Sequence, residues 1–180
     1  MMTKQSVRRA LLGTAALAAL FLGGCQKQEP LRSDYTMGER VPVGQVTYSV
    51  VESTWRTQLG EAFKIRTPEQ RFLLIKISVT NGTGKDMSIP LLTLEGSSGK
   101  TYRELAEGEG VDNWFGVLRT LSPGQTQQGN LLFDVPLTSY KLRLPDINDT
   151  GVENFAAVQI PLRIDADVPI QSPITPDSLK

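Results

Sequence analysis

The dominant signal along this chain is alternation of apolar and polar residues with a period of two. Successive side chains of a strand point to opposite faces, so each such run predicts a strand with one buried side. Val46, Tyr48 and Val50 alternate with Thr47 and Ser49. Leu73, Ile75, Ile77 and Val79 alternate with Leu74, Lys76, Ser78 and Thr80, leaving one face fully apolar. Leu131, Phe133 and Val135 alternate with Leu132 and Asp134, and Leu142 and Leu144 with Lys141 and Arg143. A last run sets Val158, Ile160, Leu162 and Ile164 against Gln159, Pro161 and Arg163. Proline has no N–H to give a ladder, so Pro161 predicts an edge strand, or one paired on a single side there.

Turn residues punctuate these runs at Asn81-Gly82-Thr83-Gly84, Ser97-Ser98-Gly99 and Ser122-Pro123-Gly124. Leu91 to Leu94 and Thr101 to Tyr102 flank the second turn and predict a hairpin. No segment shows a long 3.6-residue period. About seven to nine short strands in roughly 125 residues predict an all-β sandwich.

The two ends read differently. Met1 to Arg9 is basic through Lys4, Arg8 and Arg9, and Ala10 to Gly24 follows without a charge. That run falls short of the roughly 20 apolar residues of a membrane-spanning helix and fits the apolar core of a signal peptide. It ends in Leu22-Gly23-Gly24-Cys25, which resembles the lipobox of bacterial lipoproteins. The resemblance implies cleavage between Gly24 and Cys25 and lipidation of Cys25 by diacylglycerol and an acyl chain such as palmitate. Gln26, rather than Asp, follows the cysteine, which by the same resemblance favours the outer membrane in a cell with two membranes. The expected layout is a signal peptide over 1–24, a lipidated cysteine and flexible tether over 25–40, a sandwich over 41–165 and a Pro-rich tail over 166–180.

Composition narrows the chemistry. The chain has 180 residues with 19 basic, 19 acidic and no histidine, and Cys25 is its only cysteine. Removing Lys4, Arg8 and Arg9 from the 19 basic residues leaves 16 against 19 acids, a slightly acidic remainder. Nucleic acid binding needs clustered Lys and Arg and is not expected. Serine–histidine and cysteine–histidine catalysis, disulfides within the chain and thiolate metal sites are excluded by composition. Carboxylate, Lys or Tyr chemistry would remain for an enzyme, and no cofactor is expected.

Three stretches carry a resemblance to a known family: GERVPVGQVTYSVVES (38–53), RFLLIKISVTNGTGKDMSIP (71–90) with SGKTYRE (98–104), and LSPGQTQQGNLLFDVP (121–136). Together they resemble a bacterial family of secreted and lipid-anchored domains of unknown function. The family consists of immunoglobulin-like sandwiches similar to a mycobacterial immunoprotective extracellular antigen. The resemblance covers about Gly38 to Leu144. It implies a fold and an envelope location and brings no catalytic residues with it. Each motif residue also has a structural explanation: Asn81 and Gly82 turn the chain after a core strand, and Gly129 and Pro136 bracket the strand of Phe133.

The longest stretch without alternation is Glu104 to Arg119. It places Glu104, Glu107, Glu109 and Asp112 beside Trp114 and Phe115. Such a loop could offer oxygen ligands to Ca²⁺ or an aromatic anchor to a partner. The plainer reading is a hydrated acidic loop whose aromatics tuck over the end of the sandwich, and no metal is expected. Long loops on a rigid scaffold are where binding residues concentrate, so Glu107, Glu109, Asp112, Trp114 and Phe115 form the candidate binding loop. Asp146 to Gly151 starts like a calcium loop, but its twelfth position is Ala157, where a bidentate Glu is required. Trp55 fits a core or a surface position equally. The sequence thus favours a non-enzymatic, membrane-anchored module that binds an envelope protein or small ligand. The alternatives are a structural or stress-related lipoprotein without a discrete ligand, and a carboxylate hydrolase built on Glu104 to Asp112.

Overall fold

The computed structural model describes residues 34–61, 63–147 and 155–163. Gly24, Cys25, the leader and the tail 166–180 lie outside the described residues, as do positions 148–151 of the calcium-like stretch. The regular elements are all strands: β1 (Asp34–Thr36), β2 (Arg40–Val43), β3 (Val46–Arg56), β4 (Phe72–Asn81), β5 (Met87–Ser88), β6 (Thr93–Gly96), β7 (Thr101–Arg103), β8 (Thr120–Leu121), β9 (Thr126–Asp134), β10 (Tyr140–Pro145) and β11 (Phe155–Ile160). One sheet runs β1-β11-β10-β6-β7 and the second β2-β3-β4-β9, with β5 and β8 forming a small pair. The fold is a β-sandwich. The strands beyond the expected number are of two or three residues, too short to show a period.

The alternating residues meet between the sheets. Val46, Tyr48, Val50, Leu73, Ile75, Ile77 and Val79 face Leu94, Leu142, Leu144, Val158 and Ile160 in one buried cluster. Each fully buried aliphatic side chain contributes roughly 1.5–3 kcal/mol, and this packing replaces the disulfide the chain cannot form. The expected hairpin is present, with Leu94 opposite Tyr102. Ser122-Pro123-Gly124 forms a turn in which Gly124 has φ 72° and Gln125 N–H donates to the Ser122 carbonyl at 3.0 Å. A positive φ at the third position is what a type II turn requires.

Trp55 is placed by a β-bulge. The register between β3 and β4 shifts between Val50 and Glu52, so Val51 has no partner of its own. Even-numbered residues face inward before the bulge; after it Ser53 and Trp55 lie opposite the buried Ile75 and Leu73. A bulge inserts one residue and flips the parity downstream. Trp55 therefore packs partly buried against the core, 6.4 Å from the Tyr140 ring.

Three expectations are corrected. The tether does not extend to residue 40: β1 pairs in parallel with β11, Tyr35 opposite Val158, and Tyr35 is buried. One buried aromatic between polar neighbours is too little pattern to mark a strand. β11 is not an edge strand containing Pro161, because it ends at Ile160 and lies between β1 and β10. Pro161 stops the ladder instead of interrupting it, since its nitrogen has no hydrogen to donate. Gly129 does not bracket β9 but lies inside it. A Cβ there would sit 2.9 Å from the Asn113 carbonyl oxygen and from Phe115, so only glycine admits that segment.

Buried polar groups tie the sheets at their ends. The Tyr48 hydroxyl donates to the Pro145 carbonyl at 3.2 Å, across the sandwich. The Tyr140 hydroxyl donates to the Pro136 carbonyl four residues upstream at 2.7 Å, in the manner of a tyrosine corner. Burial, and then the neighbouring Tyr102, push the Tyr140 phenol up to about 12, so it stays a donor near neutral pH. Asn81, fully buried at the end of β4, donates to the carbonyls of Lys85 (2.8 Å) and Leu121 (2.9 Å). Its side-chain oxygen accepts from the Thr83 N–H (2.8 Å) and hydroxyl (2.7 Å). Asn81→Ala should therefore lower unfolding free energy by about 3 kcal/mol, because several buried partners are orphaned at once. Thr126→Ala on the exposed face should stay within about 0.5 kcal/mol. Urea unfolding with an unchanged m-value would verify the contrast, and equal midpoints would refute it.

Candidate functional site

The loop between β7 and β8 is fixed at both ends by one ion pair. Glu104 immediately follows β7 and Arg119 immediately precedes β8. Arg119 Nη1 donates to Glu104 Oε2 at 3.0 Å and Nη2 donates to Oε1. Neither side chain reaches solvent. Glu104 Oε2 also accepts the Leu92 N–H at 3.1 Å, while Arg119 reaches the Pro90 carbonyl at 3.3 Å and the Gly116 carbonyl through Nε. The guanidinium lies 4.9 Å from the Phe115 ring centroid. Burial raises the Glu104 carboxyl above its ordinary value, opposed by the bonds to Arg119 and the Leu92 amide. Glu104 thus leaves the acidic cluster in which the sequence placed it.

Between these ends the chain lies along the open edge of β9. Leu105 N–H donates to the Leu132 carbonyl at 2.8 Å, and Phe115 N–H to the Asn130 carbonyl at 2.9 Å. Asn130 returns N–H bonds at 2.8 Å to the Asn113 carbonyl and, through its side chain, at 2.7 Å to the Asp112 carbonyl. An exposed strand edge is a template for unwanted pairing, and these bonds occupy it. The wrap also divides the aromatics. Phe115 is buried in the main core, so it takes no part in a surface anchor, and Trp114 is half-buried. Glu107, Glu109 and Asp112 are exposed. No group of three acidic, cysteine or histidine side chains able to hold a metal occurs among the described residues.

The connection between β3 and β4, which the sequence reading passed over, rises beside this loop. Leu59 and Arg66 exchange backbone hydrogen bonds of 2.9 and 2.8 Å. Leu59, Phe72 and Leu132 form a second apolar cluster on the outer face, joined by Leu74, Leu105 and Val111. Gly110, at φ 80°, comes so close that a Cβ would sit 2.7 Å from the Gly60 nitrogen. Arg66 donates to the Glu107 carbonyl at 2.9 Å, and Lys64 pairs with Glu109 at 3.5 Å. Phe63 is left fully exposed and Ile65 about half exposed. The missed signal is Phe63-Lys64-Ile65, an apolar pair two residues apart within a polar connection.

Two depressions meet at Gly110 and Asp112. A groove of about 920 Å³ runs between Phe63 and Val111 and is rimmed by Glu61, Lys64, Glu109 and Asp112. A smaller cleft of about 230 Å³ continues over the outer sheet face among Glu52, Thr54, Arg56, Lys76, Asp112 and Asn130. Its two carboxylates, Glu52 and Asp112, are both exposed residues and share the cleft with two cations.

A family model described as "Domain of unknown function (DUF4352)" matches residues 35–152. The chain belongs to this family. The YjhA protein of Bacillus subtilis is similar in structure to this DUF4352 chain, at TM-score 0.52 and 17% identity over 70% of this chain and 98% of that one. A functionally unknown protein of Listeria monocytogenes matches at TM-score 0.53 and 12% identity, over 71% and 84% of the two chains. The secreted protein MPT63 of Mycobacterium tuberculosis matches at TM-score 0.47 and 17% identity, over 71% and 95%. No curated protein matches the DUF4352 chain. The family recognised from residues 38–53, 71–90 with 98–104, and 121–136 is therefore the right one, and it names no activity.

Removing one partner of a buried ion pair leaves the other charge uncompensated, which costs about 3–5 kcal/mol. Glu104→Gln and Arg119→Met should each destabilise on that scale. The double change Glu104→Gln/Arg119→Met should cost less than the sum, as expected for one coupled unit. Denaturant unfolding of the three variants reads the coupling, and strict additivity would refute it.

Proposed function

We propose that this protein is a membrane-anchored envelope lipoprotein, held through lipid on Cys25, whose sandwich is a non-enzymatic docking module outside the cytoplasm. The observation that carries the docking reading is Phe63. It stands fully exposed beside Ile65 over a groove, on a connection braced by Leu59, Arg66 and Gly110. Apolar side chains gathered at one exposed site are a mark of interaction surfaces, and Phe63 and Val111 line the same groove. The lipobox motif supports the anchor, and only eight residues separate Cys25 from Asp34. Nine steps of chain reach about 30 Å at most, so the module stays close to the bilayer and meets partners there.

Two measurements test the reading. A palmitate analogue fed to the producing cells should label the wild type and spare Cys25→Ser; equal labelling would remove the anchor. A photo-crosslinking amino acid in place of Phe63 in the full-length lipidated chain should give a discrete adduct in intact envelopes. The same group in place of Ser98, on the exposed β6–β7 turn, should give none. Identical patterns from the two positions would remove the docking surface.

A further inference from the structure

Resting on that reading of the crest, the exposed Phe63-to-Ile65 tip of the β3–β4 connection, we infer that the occupant of its groove is an extended protein segment presenting an apolar side chain flanked by Lys or Arg. The groove supplies apolar lining through Phe63 and Val111, one from each of the two loops. Around that lining stand Glu61, Glu109 and Asp112, and Lys64 is the only cation among the residues lining the groove. Lys64 already pairs with Glu109 at 3.5 Å. The rim therefore carries an excess of negative charge around an apolar centre, complementary to a basic segment with an apolar tip. Complementary rim charge steers encounter and selects partners, while the apolar contact holds them.

Strand direction fixes the end of the sandwich at which the crest lies. Trp55 lies near Tyr140, whereas Tyr48 bonds to Pro145, so the Arg56 end of β3 lies at the Tyr140 end of β10. In the neighbouring ladder Asp34 pairs with Ala157, itself opposite Arg143, while Thr36 pairs with Gln159, opposite Lys141. β1 thus runs toward the Tyr140 end, with Asp34 at its start on the side nearer Pro145. Phe63 and Ile65 lie on the connection after Arg56, at the end toward which β1 runs. A bilayer is the poorer occupant, because its anionic headgroups would meet the acidic rim. A second copy docked symmetrically would bring each acidic rim against its own kind, since a two-fold contact pairs the same patch with itself.

The test uses the full-length lipidated protein in neutral detergent and a labelled ten-residue peptide with a Lys-Leu-Lys-Phe-Lys centre and Gly-Ser flanks. A counterpart carries Glu in place of each Lys. Fluorescence anisotropy should show the lysine peptide binding at least about tenfold more tightly than the glutamate one, with the gap narrowing as salt is raised. Phe63→Ser should weaken lysine-peptide binding about tenfold or more. Glu109→Lys with Asp112→Lys should reverse the preference. All substituted positions are exposed, and an unchanged melting temperature checks that the variants fold. Equal affinity for the two peptides, or indifference to Phe63→Ser, would overturn the inference. So would a Phe63-dependent association with anionic vesicles in place of peptide, or a Phe63-dependent dimer in sedimentation. An adduct at position 63 together with a failed peptide preference would refute the partner chemistry and leave the docking surface standing. No adduct and no peptide binding would remove both.

Discussion

Burying a carboxylate and a guanidinium is unfavourable unless every lone pair and proton finds a partner. In this sandwich the Glu104–Arg119 pair comes close to that condition: beyond their mutual bonds, Glu104 accepts from the Leu92 amide and Arg119 donates to the carbonyls of Pro90 and Gly116. Its position gives it consequence, because its members bracket the long connection between β7 and β8. Closing a loop costs conformational entropy that grows slowly with length, and a strong bidentate contact at its base offsets that cost once for the whole loop. The same contact holds the segment before β6, through Leu92 and Pro90, against the start of β8.

What the loop does follows from where it is pinned. It has to cross from the edge strand of one sheet to the edge of the other, and it uses the crossing to satisfy the free groups of β9. Passing that edge, it places Phe115 inside the main core and Leu105 and Val111 on the outer sheet face. One segment therefore seals an edge, fills the interior and caps an outer surface. The groove is a by-product of the third task, since Val111, Gly110 and Asp112 meet the β3–β4 connection only because the loop has been drawn over Leu74 and Leu132.

The main strands were legible because their burial is one-sided, and alternation reports one-sided burial directly. β4 could be read residue by residue for that reason. Trp55 could not be read, because an unpaired Val51 reverses the parity and no turn residue announces a bulge. β1 was invisible because three residues carry no period. Part of the loop's role was written in the sequence: Leu74 and Leu132 occupy outward positions where a solvated face calls for polar groups, and Gly129 interrupts a strand where something must approach closely. The Glu104–Arg119 pair left a fainter trace. Arg119 has the parity of the buried Leu121, yet a charged residue at an inward position names no partner until the fold supplies one. Phe63 and Ile65 were passed over because two apolar residues in a polar connection resemble a strand fragment as much as a crest.

The parts that hold this fold together and the parts offered to solvent are chemically separate. Asn81, Tyr48, Tyr140, Glu104 and Arg119 direct their polar atoms inward, onto backbone groups or one another. Phe63 and Ile65 contribute little to that interior, and exposing apolar surface is unfavourable in a free protein. A Ser or Lys at position 63 would serve the connection as well, since the bracing comes from the backbone of Leu59 and Arg66 and the side chain of Arg66. Stability therefore gives little reason for the exposed parts of two apolar side chains at the tip of a braced connection. A partner that removes them from water would supply one, and the acidic groups beside them describe the kind of surface that partner would have to present.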